Sequence, residues 1–181
     1  MGDNMNLRDI EYIAKAHTDL ATKPSKSVRK WNEKTPYCIH PFWCAATLTT
    51  ETTLDERTRE EGVQALLYHD ILEDTIAELP EELPERVKQL VQDMTFESSQ
   101  EEMKEIWSKP KEILLYKLYD KVSNLLDGSW MDEEKRAKYT QYTRFLCARV
   151  EEEYGALNIT KIARAITGDY ALLTDFMEDG K

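Results

Sequence analysis

Positive charge is what this 181-residue sequence has least to spare: 24 Lys and Arg stand against 35 Asp and Glu, for a formal net charge of −11. No basic stripe runs along the chain, and such a stripe is the usual footprint of a nucleic-acid surface, so that class of partner is set aside. A phosphorylated small molecule is not set aside, because a local metal with a few Lys or Arg reverses the potential inside one pocket. Long apolar runs are missing too. None approaches a membrane span and no apolar N-terminal signal segment is seen, so a membrane partner is not expected. Cysteine is limited to Cys38, Cys44 and Cys147, an odd set that points to a reducing, cytoplasmic compartment. Gly and Pro number only six each, and no stretch alternates like a strand for more than a few residues, which leaves helix favoured.

What the sequence does hold is helical periodicity built on Leu, Glu, Lys and Ala. The length suits one domain over residues 1–181. The spacing predicts an all-α fold of six or more helices. The first runs from Leu7 to Leu20 and is broken by Lys23-Pro24-Ser25-Lys26-Ser27, and Val28 to Tyr37 reads as irregular. A short apolar segment opens at His40-Pro41. A long helix is expected from a cap at Thr53 or Asp55 to about Glu78, followed by helices over Glu85–Thr95, Gln100–Trp107, Lys111–Asp127, Asp132–Tyr154 and Thr160–Phe176.

Two of these helices carry the chemistry. On a wheel of residues 63–77, Asp70 and Asp74 fall at the centre of a stripe made by Val63, Leu66, Leu67 and Ala77. Carboxylates aimed into an apolar face are costly to bury unless a cation compensates them, and a divalent metal does so economically. His69 and Glu73 form a second pair at i and i+4. In the later helix, Asp120 and Asn124 are again i and i+4, on a side shared with Tyr116 and Lys117, opposite Leu115, Leu118, Val122 and Leu126. The plainer alternatives are a solvated acidic helix end for the first and surface ion pairs of Asp120 with Lys117 and Lys121 for the second. Two His and two Asp without thiolate suit manganese, iron, zinc or magnesium and leave room for water and a phosphate oxygen. A zinc site on Cys38, His40 and Cys44 is also conceivable, but the paired C-x-x-C spacing is absent, and two buried thiols beside a helix start are the plainer reading.

The order His40, His69-Asp70, Asp120 resembles the HD-domain superfamily of metal-dependent phosphohydrolases. Within it the strings Thr35-Pro36-Tyr37-Cys38-Ile39-His40-Pro41, Ala65 to Thr75 (ALLYHDILEDT), Leu90 to Thr95 (LVQDMT) and Lys117 to Leu125 (KLYDKVSNL) are similar, in order, to the hydrolase domain of RelA/SpoT-type proteins and free-standing small alarmone hydrolases. The similarity spans roughly residues 10–145, with C-terminal helices over 146–181. It implies an all-helical fold, one manganese ion on His40, His69, Asp70 and Asp120, and Glu73 with Asp74 serving the attacking water. It also implies that Arg29, Lys30 and Asn124 contact the nucleotide, with Tyr139 beside the substrate. The implied reaction is removal of the 3′-pyrophosphate of guanosine tetra- or pentaphosphate. Two other readings stay open: an HD phosphohydrolase on another nucleotide, such as a nucleoside 5′-phosphate or NADPH, and a non-catalytic, metal-dependent nucleotide-binding module. The chain departs from the family pattern between His17 and Arg29, where a Gly-Gln is usual ahead of the Arg. His17 itself reads equally well as a helix-surface residue. No oligomeric state is legible.

Overall fold

Short polar caps set most helix starts in the computed structural model, which describes residues 6–168. Asn6, Asp55, Ser98 and Asp132 each accept a hydrogen bond from the backbone N–H three residues on, opening α1 (Leu7–Asp19), α3 (Glu56–Tyr68), α6 (Ser99–Glu105) and α8 (Glu133–Tyr154). Pro84 and Pro110 stand just ahead of α5 (Glu85–Met94) and α7 (Lys111–Leu126), where a fixed φ and a missing N–H cost nothing. With α2 (Ile39–Leu48), the four-residue α4 (Ile71–Asp74) and α9 (Asn158–Thr167), nine α-helices form among the described residues. Strands are absent there apart from two isolated bridges, Ala21 with Thr75 and Val28 with Pro36. The last helix begins two residues earlier than its periodicity suggests and ends at Thr167, with Gly168 left-handed at φ 70°; positions 169–176 of the expected helix lie outside the described residues.

The bundle is organised around α7, which packs against α2, α3, α5, α8 and α9. Its expected polar side is therefore not a surface. Lys117, Asp120 and Lys121 are as buried as Leu115 and Leu118, which removes the alternative of surface ion pairs. Gly62 lets α3 pass close to this core: a methyl there would run into the Tyr116 ring and lie 2.7 Å from Leu48 Cδ2. Buried Glu51 ties α9 to α7, accepting from the Tyr119 hydroxyl at 2.8 Å and from the backbone N–H groups of Asn158 and Ile159, both at 2.9 Å.

The long helix expected from Asp55 to Glu78 is divided. α3 stops at Tyr68, α4 covers only Ile71–Asp74, and Thr75 is extended at φ −130° and ψ 168°. Two side chains account for this. His69 Nδ1 lies 2.7 Å from the carbonyl of Leu66, three residues back, and competes for an oxygen the helix ladder would use. The Thr75 hydroxyl, at 2.8 Å, shares the Ile71 carbonyl with the Thr75 N–H, at 3.2 Å, after which Ile76 N–H turns to Leu20 O at 2.8 Å. The chain thus leaves the helix to pair with the segment after α1.

Candidate metal centre and substrate cleft

Four side chains meet where α2, the α3–α4 turn and α7 come together. His40 is the second residue of α2, His69 and Asp70 form the turn, and Asp120 lies midway along α7; all four are buried. The two Nε2 atoms are 3.2 Å apart. Asp120 Oδ1 lies 3.3 Å from His40 Nε2 and 4.0 Å from His69 Nε2, and Asp70 Oδ2 lies 3.4 and 3.2 Å from the same atoms. His40, His69 and Asp120 form a mutual group whose ligand atoms all fall within 4.8 Å of one another; Asp70 flanks both imidazoles from outside that group. No cysteine joins it among the described residues: Cys44 Sγ is 4.0 Å from His40 Nδ1, on the side of the ring away from His69, and the three buried cysteines form no disulfide. This disposes of the zinc alternative.

Proton placement tests whether a cation fits. The Leu66 carbonyl only accepts, so His69 must carry its proton on Nδ1, leaving a lone pair on Nε2. His40 Nδ1 is engaged by the Ser123 hydroxyl at 2.7 Å; a hydroxyl both donates and accepts, so His40 can place its proton on Nδ1 and present an Nε2 lone pair to a cation. With His40 in that tautomer, two nitrogen lone pairs and two carboxylate oxygens converge in a buried space, a donor set complementary to a divalent ion. The spacings match neighbouring ligands on a metal held at about 2.0–2.2 Å.

A second layer orients these groups, and the sequence motifs did not assign it. The Tyr37 hydroxyl donates to Asp70 Oδ2 at 2.8 Å, and Asn124 Nδ2 donates to Asp120 Oδ1 at 2.6 Å. Asp120 Oδ2 is held by two ammonium groups, Lys117 Nζ at 3.3 Å and Lys121 Nζ at 3.0 Å, which also reach Glu102 Oε2 at 3.3 and 2.8 Å. Burial opposes the charge on Asp120, yet Lys121 and Lys117 keep its carboxyl well below the usual range. Glu102, which receives the Tyr142 hydroxyl at 2.9 Å, completes the set. Tyr37 and Ser123 stand three residues from a ligand in sequence, a helical-turn signal that marks them; Glu102, one acid in an acidic helix, gives no such signal.

The centre opens into a cleft of about 730 Å³ bordered by Asp70, Glu73, Asp74, Asp120, Asn124 and Tyr139. Glu73 Oε1 accepts from the Phe96 N–H at 3.0 Å and lies 3.9 Å from Lys117 Nζ; burial raises its pKa. Asp74 is likewise raised, by burial and by Asp70, against the pull of Lys26. Arg29 lines the wall, but it is buried and largely spoken for: Nε and Nη2 donate to Asp127 at 2.6 and 2.9 Å, and Nη2 to Asn124 Oδ1 at 2.8 Å. Arg29 and Asn124 thereby form a chain leading back to Asp120. Lys30 lies 4.3 Å over the Trp130 ring and Lys135 lies 4.4 Å from the same ring, with no ion pair to either lysine among the described residues. Trp130 and Lys135 escape the sequence reading because only the fold brings the start of α8 to the segment before α2. His17 is a correction: it is buried, stacked on Tyr37 with ring centroids 4.8 Å apart, and neither ring nitrogen has a hydrogen-bond partner among the described residues.

These features define a class, an all-helical domain with a buried His/Asp cluster at the base of a polar cleft. A solved structure with the same fold is that of a metazoan ortholog of SpoT, which hydrolyzes ppGpp and plays a role in starvation responses: the TM-score is 0.72 at 21% identity, covering 95% of this chain and 98% of that one. The likeness establishes the fold, which is the SpoT-type helical fold the motifs suggest. No protein-family model and no curated protein matches the sequence. No helix among the described residues is long and apolar enough to cross a membrane.

Proposed function

We propose that the chain is a divalent-metal-dependent phosphohydrolase that removes the 3′-pyrophosphate of guanosine tetra- or pentaphosphate, with manganese as the ion. The observation that supports the reading is the pair of buried Nε2 atoms 3.2 Å apart, that of His69 left as a lone pair by the Leu66 carbonyl, flanked by Asp70 and Asp120. The substrate is proposed from the motif strings that resemble alarmone hydrolases, and the fold shared with a ppGpp-hydrolyzing protein is consistent with it.

His40, His69, Asp70 and Asp120 are the residues that would hold the ion. When bound, a divalent cation supplies Lewis acidity toward water and phosphoryl oxygens. Glu73 and Asp74 border the cleft beside it and are the carboxylates that take a proton from the attacking water and return one to the departing 3′ oxygen. Water's oxygen bonds to phosphorus as the bond from the 3′ oxygen to phosphorus breaks, giving a nucleoside 3′-hydroxyl and pyrophosphate. Lys30 and Lys135, brought together over one indole without counter-ions, would bind phosphate oxygens, and Trp130 and Tyr139 offer faces for the base or ribose. Arg29 holds Asn124 and Asp127 in place and turns its remaining edge to the nucleotide. We place the chain in the reducing cytoplasm as part of the same proposal, with Cys38, Cys44 and Cys147 forming no disulfide.

Incubating the purified chain with manganese and guanosine 3′,5′-bis(diphosphate) should release pyrophosphate and leave guanosine 5′-diphosphate. Turnover of a different nucleotide with none of this one would sink the substrate assignment; binding without turnover of any nucleotide would make the chain a sensor.

A further inference from the structure

The segment between His17 and Arg29, where the chain departs from the family pattern its motifs resemble, carries a cation at the cleft. Lys26 closes the three-residue 3₁₀ turn Pro24–Lys26, and its ammonium pairs with Asp74 Oδ1. The backbones of the two residues are tied without help from that pair. Thr22 N–H and the Thr22 hydroxyl both donate to Asp74 O, at 2.9 and 3.1 Å, and Tyr37 N–H donates to Ser27 O at 2.9 Å.

The two partners differ in exposure. The Asp74 side chain is 3% exposed and that of Lys26 is 36% exposed. A buried carboxylate is thus balanced by a cation reaching in from the solvent side, unlike Asp120, whose Lys117 and Lys121 partners are themselves sealed in. Lys26 also stands on the same wall as Arg29, Lys30 and Lys135. Lys30 registers this crowding: burial first, then Lys135 and Lys26, lowers its pKa. Lys26 and Arg29 are paired with Asp74 and Asp127, whereas Lys30 and Lys135 have no ion pair among the described residues, so two cations on this wall stand ready for an anionic ligand in a cleft whose other walls are acidic.

We propose that Lys26 is a specificity-determining residue, a shared cation that neutralises Asp74 in the free protein and lies between Asp74 and a phosphate oxygen when ligand is bound, so that the site selects a diphosphate over a single phosphate. A lone phosphate at the metal centre is met by the groups around Asp70 and Asp120. A second phosphate extends toward Asp74, and would meet an uncompensated carboxylate there if Lys26 were missing. The inference deepens the hydrolase reading and rests on it for the identity of the nucleotide, but diphosphate selection can be measured apart from turnover.

The test uses the manganese-loaded full chain, calorimetric titration with inorganic pyrophosphate and with orthophosphate, and the variants Lys26→Met and Lys26→Arg. The Lys26→Met change should weaken pyrophosphate binding about tenfold while leaving orthophosphate nearly unchanged, and Lys26→Arg should restore the preference. In parallel, KM for guanosine 3′,5′-bis(diphosphate) should rise about tenfold in Lys26→Met and return toward the wild-type value in Lys26→Arg. Equal pyrophosphate affinity in wild type and Lys26→Met, or a matching loss for both anions, overturns the proposal. Should the wild type fail to cleave the nucleotide while keeping a Lys26-dependent preference for pyrophosphate, the substrate reading falls and diphosphate selection stands.

Discussion

Replacing Asp70 with alanine removes one of two carboxylates beside the imidazole pair and leaves Tyr37 without its acceptor. Metal binding, followed by calorimetry, and hydrolysis should both be lost. Glu73→Gln should keep the metal and lower turnover by roughly 100-fold or more, because Glu73 touches no proposed ligand and its expected role is proton transfer. Tyr37→Phe is a finer probe: loss of the hydroxyl on Asp70 should weaken metal affinity by about tenfold with the fold intact. At this scale the sequence is informative where charge conflicts with pattern. Asp70 and Asp74 stand out because they interrupt an apolar stripe, and both are buried as that conflict requires. Lys117 and Lys121 do not stand out, because a lysine beside an aspartate is the commonest surface pattern. Only burial shows that they hold Asp120 from the far side. Trp130 and Lys135 lie on a loop and an exposed helix start, where no periodicity marks a role.

At the scale of elements, the expected helix through residue 78 shows how a side chain redirects a backbone. A wheel assumes that every carbonyl serves the ladder alone, yet His69 engages that of Leu66, and the Thr75 hydroxyl shares that of Ile71 with its own backbone N–H. The division matters for the site: it turns His69 and Asp70 onto a corner, where both reach His40, while keeping Glu73 and Asp74 at the cleft. Capped starts such as Asp55 and Asp132 are readable because a cap is a local event. The role of α7 is not, since a helix surrounded by five others needs the others to be seen. Gly62 offers a test of that packing. Gly62→Ala should cost about 1–3 kcal/mol through overpacking against Tyr116 and Leu48, read as a melting temperature lowered by about 2–4 °C per kcal/mol.

For the molecule as a whole, His17 ties stability to pH. Burial lowers its pKa from 6.5 to about 4, with His69, His40 and Lys26 adding to the effect against Asp70. The imidazole is neutral in the fold, so its full contribution is present above pH 6.5 and is lost as pH falls from there to about 4. The shift corresponds to about 3 kcal/mol. Thermal melts between pH 7 and pH 4 should therefore fall more steeply for the wild type than for His17→Phe, a ring that keeps the stacking on Tyr37 and has no proton to gain.

Helix α7 supplies Asp120, the Ser123 that sets His40, the Asn124 that bridges Arg29, and both lysines behind the metal centre, all from inside the core. Reactivity and foldedness are consequently written on the same sixteen residues, Lys111 to Leu126. Divergence to a new substrate is barred from this helix and open at the rim, where Lys26, Trp130 and Lys135 sit on elements that can change without disturbing the core. An engineer seeking to change the ligand should graft the rim and leave α7 as it is.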